Sequence, residues 1–316
     1  MYSITEPNID TFAEIFGLIL GDGWLSKNKR KYKNSFYYVY QSGVSADIED
    51  LIKVKNDLKN IIGNIGKANI KTTKTYSPKY NISGTTNMIS FNSNVSRILE
   101  YYDMPIGRRV EQSFFIPKWI IESSNKTKIA FLSGLYAAEG DNLIFQKNNK
   151  TIKAPGLVLT KRIALKEEFE ITCKQILSLF NDIGIDITLS YKNVLTKFHN
   201  NIYAIFTIKN NNDNIKKFIS TLPMNYCARK KITFEKDYQY LQYKENVRKN
   251  TIQLYDNIIN DGKTLPIYKI AKKYGLPWST VNNYIKGYRK QPSIRKFLTY
   301  SEYSSIKNPL NGETLN

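Results

Sequence analysis

The chain has 316 residues, and its 47 lysines and arginines outnumber its 27 aspartates and glutamates, which gives a formal net charge of +20. Hydrophobic residues make up 41% of the sequence, so it can bury cores and is not a disordered basic tail. Two cysteines and one histidine exclude a disulfide scaffold, an all-cysteine zinc site and a multi-histidine metal site. The charge predicts a polyanionic partner, nucleic acid before membrane.

In chain order, a helix with a Thr11/Glu14 capping box is predicted to end at Gly21-Asp22-Gly23. Strand-like segments follow it, with strands near 34–42, 66–76 and 85–91 and a helix near 47–62. A second helix, ending at Glu139-Gly140, is followed by strands near 142–147, 156–161, 185–192 and 202–208 and a helix near 164–182. A charged helix near 228–260 leads into the C-terminal segment.

The two early helices form an internal repeat. At a constant offset of 117 residues, Gly17 matches Gly134, Gly21 matches Ala138 and Asp22 matches Glu139. Small residues four apart let two helix backbones approach closely, so we predict that these helices pack together. The fold class expected is α+β, with two αββαββα halves related by pseudo-symmetry and a small all-α appendage. The predicted domains are residues 1–115, 116–245 and 246–316.

The packing of the two helices would bring Asp22 and Glu139 together at their C-terminal ends. An acid at a helix C-terminus is disfavoured by about 0.3–1 kcal/mol, and a second acid beside it adds repulsion. A repeated pair of acids therefore predicts a bound cation. Carboxylate oxygens favour Mg²⁺, with Mn²⁺ as a substitute.

Polar side chains share one face of two predicted strands. They are Lys67, Asn69, Lys71 and Thr73 in the first half and Thr188, Ser190 and Lys192 in the second. A two-stranded ribbon fits the major groove of DNA, where such side chains can read base edges. The other interpretation, that these are ordinary solvated faces, stays open.

The C-terminal segment has the spacing of a helix-turn-helix. Ala271, Gly275 and Val281 occupy the small, turn and buried positions, and Pro277 suits the first turn of the second helix. That helix would present four residues to a major groove: Ser279, Asn282, Asn283 and Lys286. A generic helical hairpin is the alternative.

Two motifs carry a family resemblance. Residues 15–23 (Ile-Phe-Gly-Leu-Ile-Leu-Gly-Asp-Gly) and 131–141 (Phe-Leu-Ser-Gly-Leu-Tyr-Ala-Ala-Glu-Gly-Asp) resemble the two motifs of single-chain LAGLIDADG homing endonucleases. Residues 116–120 (Ile-Pro-Lys-Trp-Ile) resemble the segment before the second motif in archaeal introns and inteins. The resemblance covers about residues 10–240. The chain ends lack the nucleophile and the His-Asn pair of splice junctions, so we expect no splicing parts.

The resemblance implies a saddle that binds a long, asymmetric site in double-stranded DNA and hydrolyses both strands, leaving short 3′ overhangs. It implies that Asp22 and Glu139 are catalytic acids and metal ligands, and Gly21 and Ala138 are assigned with them to the metal site. It also implies a basic or amide residue at a strand end in each half. Gln41 and Lys161 are the candidates, with Arg162 competing with Lys161.

We therefore expect a monomeric, Mg²⁺-dependent, site-specific DNA endonuclease. The alternatives are a catalytically silent DNA-binding regulator and an RNA maturase that assists intron splicing, for which intron RNA would be a partner. No apolar run approaches the roughly 18 residues of a membrane span, and the first residues do not form a signal peptide. We expect an intracellular location without a membrane partner, in the cytoplasm of a prokaryote, with an organelle as the alternative.

Overall fold

The computed structural model describes residues 4–33, 35–77, 82–145, 152–195, 200–289 and 298–305. The chain divides into two compact units. The first contains residues 1–144 and 153–235, and the second contains residues 145–152 and 236–316. Within the described ranges, none of the helices combines the length and apolar composition needed to cross a membrane.

The first half of the first unit has the predicted αββαββα order. Its elements are α1 (Glu6–Asp22), β1 (Gly23–Tyr32), β2 (Ser35–Ser45), α2 (Ile48–Ile62), β3 (Ile70–Ser77), β4 (Ile82–Phe91) and α3 (Ser93–Tyr101). The four strands form one antiparallel sheet in the order β1-β2-β4-β3. No strand was predicted over β1, because its run of lysines lacks apolar alternation; it forms by pairing along its whole length with β2.

The capping box predicted for α1 is wrong. The helix begins at Glu6, with Pro7 in its first turn, where the fixed φ of proline suits a helix start. Thr11 therefore lies inside the helix. Glu14 is buried, with 3% of its surface exposed, and belongs to the contact between α1 and the second half.

The second half repeats this order, with two short strands in the described part of its first hairpin. Its elements are α4 (Lys118–Ile121), α5 (Asn125–Glu139), β5 (Ile144–Phe145), β6 (Ile152–Lys153), β7 (Gly156–Arg162), α6 (Lys166–Asp182), β8 (Ile187–Leu195), β9 (Asn200–Ile208) and α7 (Asn212–Thr221). Three strands form an antiparallel sheet in the order β7-β9-β8, and β5 pairs with β6. The strand predicted near 142–147 is thus two residues long within the described part, and residues 146 and 147 lie outside it.

Each sheet buries one face and leaves the other open. In the first sheet Val44 pairs with Ile89, and both are fully buried. In the second sheet the alternate residues of β9 are buried: Ile202, Ala204, Phe206 and Ile208. Because side chains alternate along a strand, the intervening residues form an open face on each sheet.

The second unit contains the C-terminal part of α8 (Ala228–Asp261), together with α9 (Ile267–Tyr274), α10 (Trp278–Ile285) and α11 (Tyr300–Ser305). Ile258, Ile270, Val281 and Tyr284 form the core that joins the first three of these helices. Gly275 ends α9 at φ +60°, a left-handed conformation that glycine adopts without strain. The predicted helix pair is therefore present, with Val281 buried, and its DNA-binding role stays a prediction.

Candidate active site

Helices α1 and α5 meet backbone to backbone. A Cβ atom added to Gly134 would lie 2.8 Å from the backbone nitrogen of Leu18 and closer still to the carbonyl oxygen of Glu14. A Cβ atom on Gly17 would lie 2.8 Å from the backbone nitrogen of Leu135. Neither position has room for a side chain. The close approach predicted from the repeated small residues is confirmed.

A buried hydrogen-bond network closes the same contact. The Glu14 carboxylate accepts hydrogen bonds from the Ser133 hydroxyl at 2.9 Å and from the Asn225 backbone and side-chain nitrogens at 2.8 Å each. The Ser133 hydroxyl accepts one from the Met224 backbone at 2.9 Å. Burial raises the pKa of Glu14, and these donors oppose that rise. The network fixes the loop before α8 against both motif helices.

This packing brings the two predicted acids together, since Asp22 is the last residue of α1 and Glu139 the last of α5. A Cβ atom on Gly21 would lie 3.3 Å from Cγ of Glu139 and directly against Cβ of Ala138. Burial, followed by the negative charge of Asp22, raises the pKa of Glu139 to about 7. Burial also raises the pKa of Asp22. The acids share one site and repel each other there.

Arg109 lies beside these acids and was not among the predicted site residues. Its guanidinium donates to the carbonyl oxygens of Ile19, Gly21 and Gly23 at the end of α1. Burial lowers the pKa of Arg109 to about 10, while the charges of Glu139 and Asp22 oppose that fall. A cation at a helix C-terminus stabilises the partial negative charge there.

Lys230 has the matching position at the end of α5. Its ammonium donates to the carbonyl oxygens of Ala137 at 2.7 Å and Tyr136 at 3.0 Å. Lys230 is 7% exposed, and burial lowers its pKa, with the negative charge of Asp22 among the opposing influences. Arg109 and Lys230 follow the closing helices α3 and α7 at similar distances, Arg109 in a pair of basic residues and Lys230 in a run of three. That recurrence is the one sequence signal that could have revealed them.

Two adjacent carboxylates provide the hard oxygen donors that suit Mg²⁺, which keeps several water ligands in proteins. Across the described ranges, no group of three or more His, Cys, Asp or Glu side chains could enclose a metal. Of the other two residues assigned to the metal site, Gly21 accepts a hydrogen bond from Arg109 through its carbonyl oxygen, and Ala138 lies at the helix contact; both assignments stay predictions.

The two predicted strand-end residues have different surroundings. Gln41 is exposed on the open face of β2, and its backbone carbonyl accepts from the Ser26 hydroxyl at 3.4 Å. Lys161 is 3% exposed and lies on the core face of β7, where it donates to the carbonyl oxygens of Arg109 and, at 2.9 Å, Gln112. Burial, followed by the charge of Arg109, lowers the pKa of Lys161 to about 7. Lys161 is therefore held in the interior by the backbone of residues 109 and 112, and its catalytic role stays a prediction.

The strand register shows that Gln41 and Lys161 do not occupy equivalent positions in the two halves. Gly23 pairs with Val44 in the first half, and Gly140 pairs with Leu157 in the second. Gln41 lies three residues before Val44, and Ala154 lies three residues before Leu157. Ala154 is therefore the counterpart of Gln41, and its side chain offers no hydrogen-bond donor. Arg162 lies on the open face, where it contacts Glu111 and Asn201 at 3.2 Å each.

The predicted DNA-contact residues are all at least partly accessible. Lys71, Thr73, Thr188, Ser190 and Lys192 are exposed on the open faces of β3 and β8. Lys67 and Asn69 are exposed but precede β3, since the strand begins at Ile70 rather than near 66. In α10, Ser279 and Lys286 are exposed, whereas Asn282 and Asn283 are half-buried.

No protein family model matches the chain. Among curated proteins, it is 29% identical over 257 residues to a tRNA-splicing ligase RtcB from Methanopyrus kandleri, covering 78% of this chain and 24% of that protein. It is 27% identical to RtcB of Pyrococcus abyssi, covering 96% of this chain and 31% of that protein. It is also 26% identical to a replication factor C small subunit of Methanocaldococcus jannaschii, in an alignment that covers 94% of this chain and 15% of that protein. The chain thus spans less than a third of the length of these relatives.

Solved structures with similar features include two homing endonucleases. The I-SmaMI LAGLIDADG homing endonuclease bound to cleaved DNA has a TM-score of 0.39 and 16% identity, covering 74% of this chain and 89% of that one. The LAGLIDADG homing endonuclease I-GzeII in complex with its DNA target has a TM-score of 0.41 and 12% identity, and the match covers 74% of this chain and 90% of that one.

Proposed function

We propose that the chain is a site-specific endonuclease that hydrolyses both strands of DNA, with Asp22 and Glu139 as its metal-binding acids. The observation that supports this most strongly is the placement of one carboxylate from each half at the ends of two helices in backbone contact. Burial and mutual repulsion keep the pKa of Glu139 near 7, a strain that a divalent cation between the acids would relieve.

The chemistry divides between the metal and the flanking cations. Mg²⁺ bound by the acids would polarise a phosphate oxygen and lower the pKa of a coordinated water. Arg109 and Lys230 place two positive charges around the same point, each fixed by hydrogen bonds to helix carbonyls. Rigid cations of this kind favour the negative charge that develops on phosphate during hydrolysis. Lys161 contributes indirectly, because its ammonium donates a hydrogen bond to the backbone carbonyl oxygen of Arg109.

Recognition of the target is assigned to the open faces of the two sheets. Their exposed lysines, threonines and serines can donate to base edges in the major groove, and the remaining basic residues would contact phosphates. The helix pair α9–α10 is proposed as an additional DNA-binding module, with Ser279 and Lys286 as its exposed contacts. We expect the protein to act as a monomer, because one chain supplies both acids.

The curated relatives favour a separable module. One segment recurs in proteins with two different names, RtcB and replication factor C small subunit, and fills between 15% and 31% of those quoted. A segment that occurs in proteins with two different names does not belong to the core that defines either protein. We therefore infer that its activity is separate from RNA ligation and from replication.

The decisive experiment is cleavage of a plasmid library that carries long randomised inserts, in Mg²⁺ and in Mn²⁺. We expect the wild type to linearise a subset of plasmids, and Asp22→Asn and Glu139→Gln to bind the selected site in Ca²⁺ without cutting it. Asp186→Asn is the matched control, since Asp186 is an exposed acid in the loop before β8. Cutting by both acid variants at the wild-type rate would refute the catalytic assignment.

Two other outcomes point to the alternatives. Specific binding by wild type without cleavage in either metal would indicate a DNA-binding regulator. Stimulated splicing of a host intron RNA, independent of Asp22 and Glu139, would indicate a maturase.

A further inference from the structure

The hairpin of β1 and β2 extends beyond the rest of its sheet. Within the described strands only Ser42–Ser45 of β2 pair with β4, so residues 26–32 and 35–41 form a ribbon of two strands. Between Gly23 and Ala46 the sequence has five lysines and arginines and no acidic residue. The ribbon is therefore a strongly basic surface, distinct from the acids at the end of α1.

The strand register gives this ribbon two different faces. Lys27 pairs with Tyr40, and its ammonium lies 2.7 Å from the Glu100 carboxylate of α3, so this face is on the helix side of the sheet. Since side chains alternate, the pairs Lys29–Tyr38 and Lys31–Phe36 lie further along the same face. We call this set the back face: Lys27, Lys29, Lys31, Phe36, Tyr38 and Tyr40. Arg30, Tyr37 and Gln41 lie on the opposite, open face.

Cations and aromatic rings alternate along the back face. The ammonium of Lys27 lies 5.0 Å from the ring centre of Tyr38 and 5.1 Å from that of Tyr40. The ammonium of Lys29 lies 4.2 Å from the ring centre of Phe36. Phe36 is 61% exposed and Tyr38 is 51% exposed. Large rings left open beside cations on a surface mark an interaction site.

We propose that the back face binds single-stranded nucleic acid, separately from the duplex assigned to the open faces. A single strand presents unstacked bases that can lie on exposed rings, and its phosphates can pair with the lysines between them. A duplex keeps its bases stacked on each other and offers only groove edges and phosphates. An acidic protein would match the lysines but would supply no series of flat apolar groups for the rings. The proposal goes beyond the endonuclease activity and does not depend on it.

The test compares the two faces of one ribbon. The back-face variant is F36S/Y38S, and the matched control is Tyr37→Ser, an aromatic residue that is 47% exposed on the open face. The probes are fluorescein-labelled oligo(dT), oligo(U) and a DNA duplex of random sequence, each about 15 nucleotides or base pairs long, a length matched to single-strand site sizes. Binding is measured by anisotropy with the full chain.

We expect F36S/Y38S to bind the single-stranded probes at least about tenfold more weakly than wild type, and the duplex within about twofold, because each lost stack costs about a factor of ten or more. Tyr37→Ser should leave single-strand binding unchanged. Tighter wild-type binding of oligo(U) would identify RNA as the ligand, and tighter binding of oligo(dT) would identify single-stranded DNA. Unchanged single-strand affinity in F36S/Y38S, or an equal loss for all probes, would overturn the proposal.

A second measurement on the wild type covers the case in which the variant folds poorly. A 5-bromouracil-substituted single strand is crosslinked by light, and the adducts are mapped by mass spectrometry. Adducts at Phe36, Tyr38 or Tyr40 are expected. Adducts confined to the open faces or to α10 would refute the assignment of the back face.

Discussion

Replacing Gly134 by alanine tests the contact on which the active site depends. The added methyl group would lie 2.8 Å from the backbone nitrogen of Leu18 and closer to the Glu14 carbonyl oxygen, and neither backbone atom can rotate away. The helices must separate by about 1 Å, and a gap of that size removes a quarter to a half of the dispersion energy of the facing atoms. Overpacking alone costs about 1–3 kcal/mol, so we expect Gly134→Ala to destabilise the chain by about 3 kcal/mol.

For a unit of this size, that loss lowers the melting temperature by about 6–12 °C. A displacement of about 1 Å between the halves also separates Asp22 from Glu139, and misplacement of that order can reduce a rate about a hundredfold. The assays are thermal unfolding by circular dichroism and cleavage of the selected plasmid site. Gly63→Ala is the control, because a Cβ atom added there would meet no other atom within 4 Å and the substitution costs only backbone strain at φ +80°, about 1–3 kcal/mol, without moving the motif helices. A Gly134→Ala protein with the melting temperature and the cleavage rate of wild type would refute the helix contact.

Three further changes probe the buried charges. Lys230→Met should destabilise the chain by about 1–3 kcal/mol in urea, because it removes the side-chain donor to the Ala137 carbonyl oxygen and one of the two donors to the Tyr136 carbonyl oxygen, whereas the exposed Lys231→Met should have little effect. Lys161 has a pKa of about 7 when folded against an ordinary 10.5, so wild type should gain stability relative to Lys161→Met as pH rises between these values; a difference independent of pH would contradict the burial of its charge. Burial raises the pKa of Asp237 to about 6 from an ordinary 3.8, so wild type loses stability as pH rises through that interval. Asp237→Asn should therefore be more stable by up to about 3 kcal/mol at pH 8 and no more stable at pH 4 in calorimetry, and equal gains at both values would count against this account.

The parts of the site that could be predicted depend on local pattern. Small residues four apart report directly on helix approach, so the contact of Gly17 and Gly134 with the opposite helix followed from the repeat. The exposed faces of β3 and β8 followed from alternation. The same rule, counted from Leu157, places Lys161 on the core face of β7, as the structure does.

The parts that could not be predicted depend on distant partners. Arg109 reaches carbonyl groups 86 to 90 positions earlier in the chain, and Lys230 reaches across 93 and 94 positions. No local periodicity encodes such pairs. Strand β1 is lysine-rich and forms only because it pairs with β2. Glu14 is buried by a loop that lies more than 200 residues later in the chain.

The difference between the two first hairpins has a consequence for the reaction order. One half has a long basic ribbon and an amide at Gln41, whereas the described part of the other has an interrupted hairpin with Ala154 at that position. In the described residues, the two strand ends therefore offer different side chains, an amide in one half and a methyl group in the other. If the chain is the proposed endonuclease, its two scissile bonds would face different chemical surroundings, so we expect them to break sequentially and a nicked circle to accumulate before linear DNA appears.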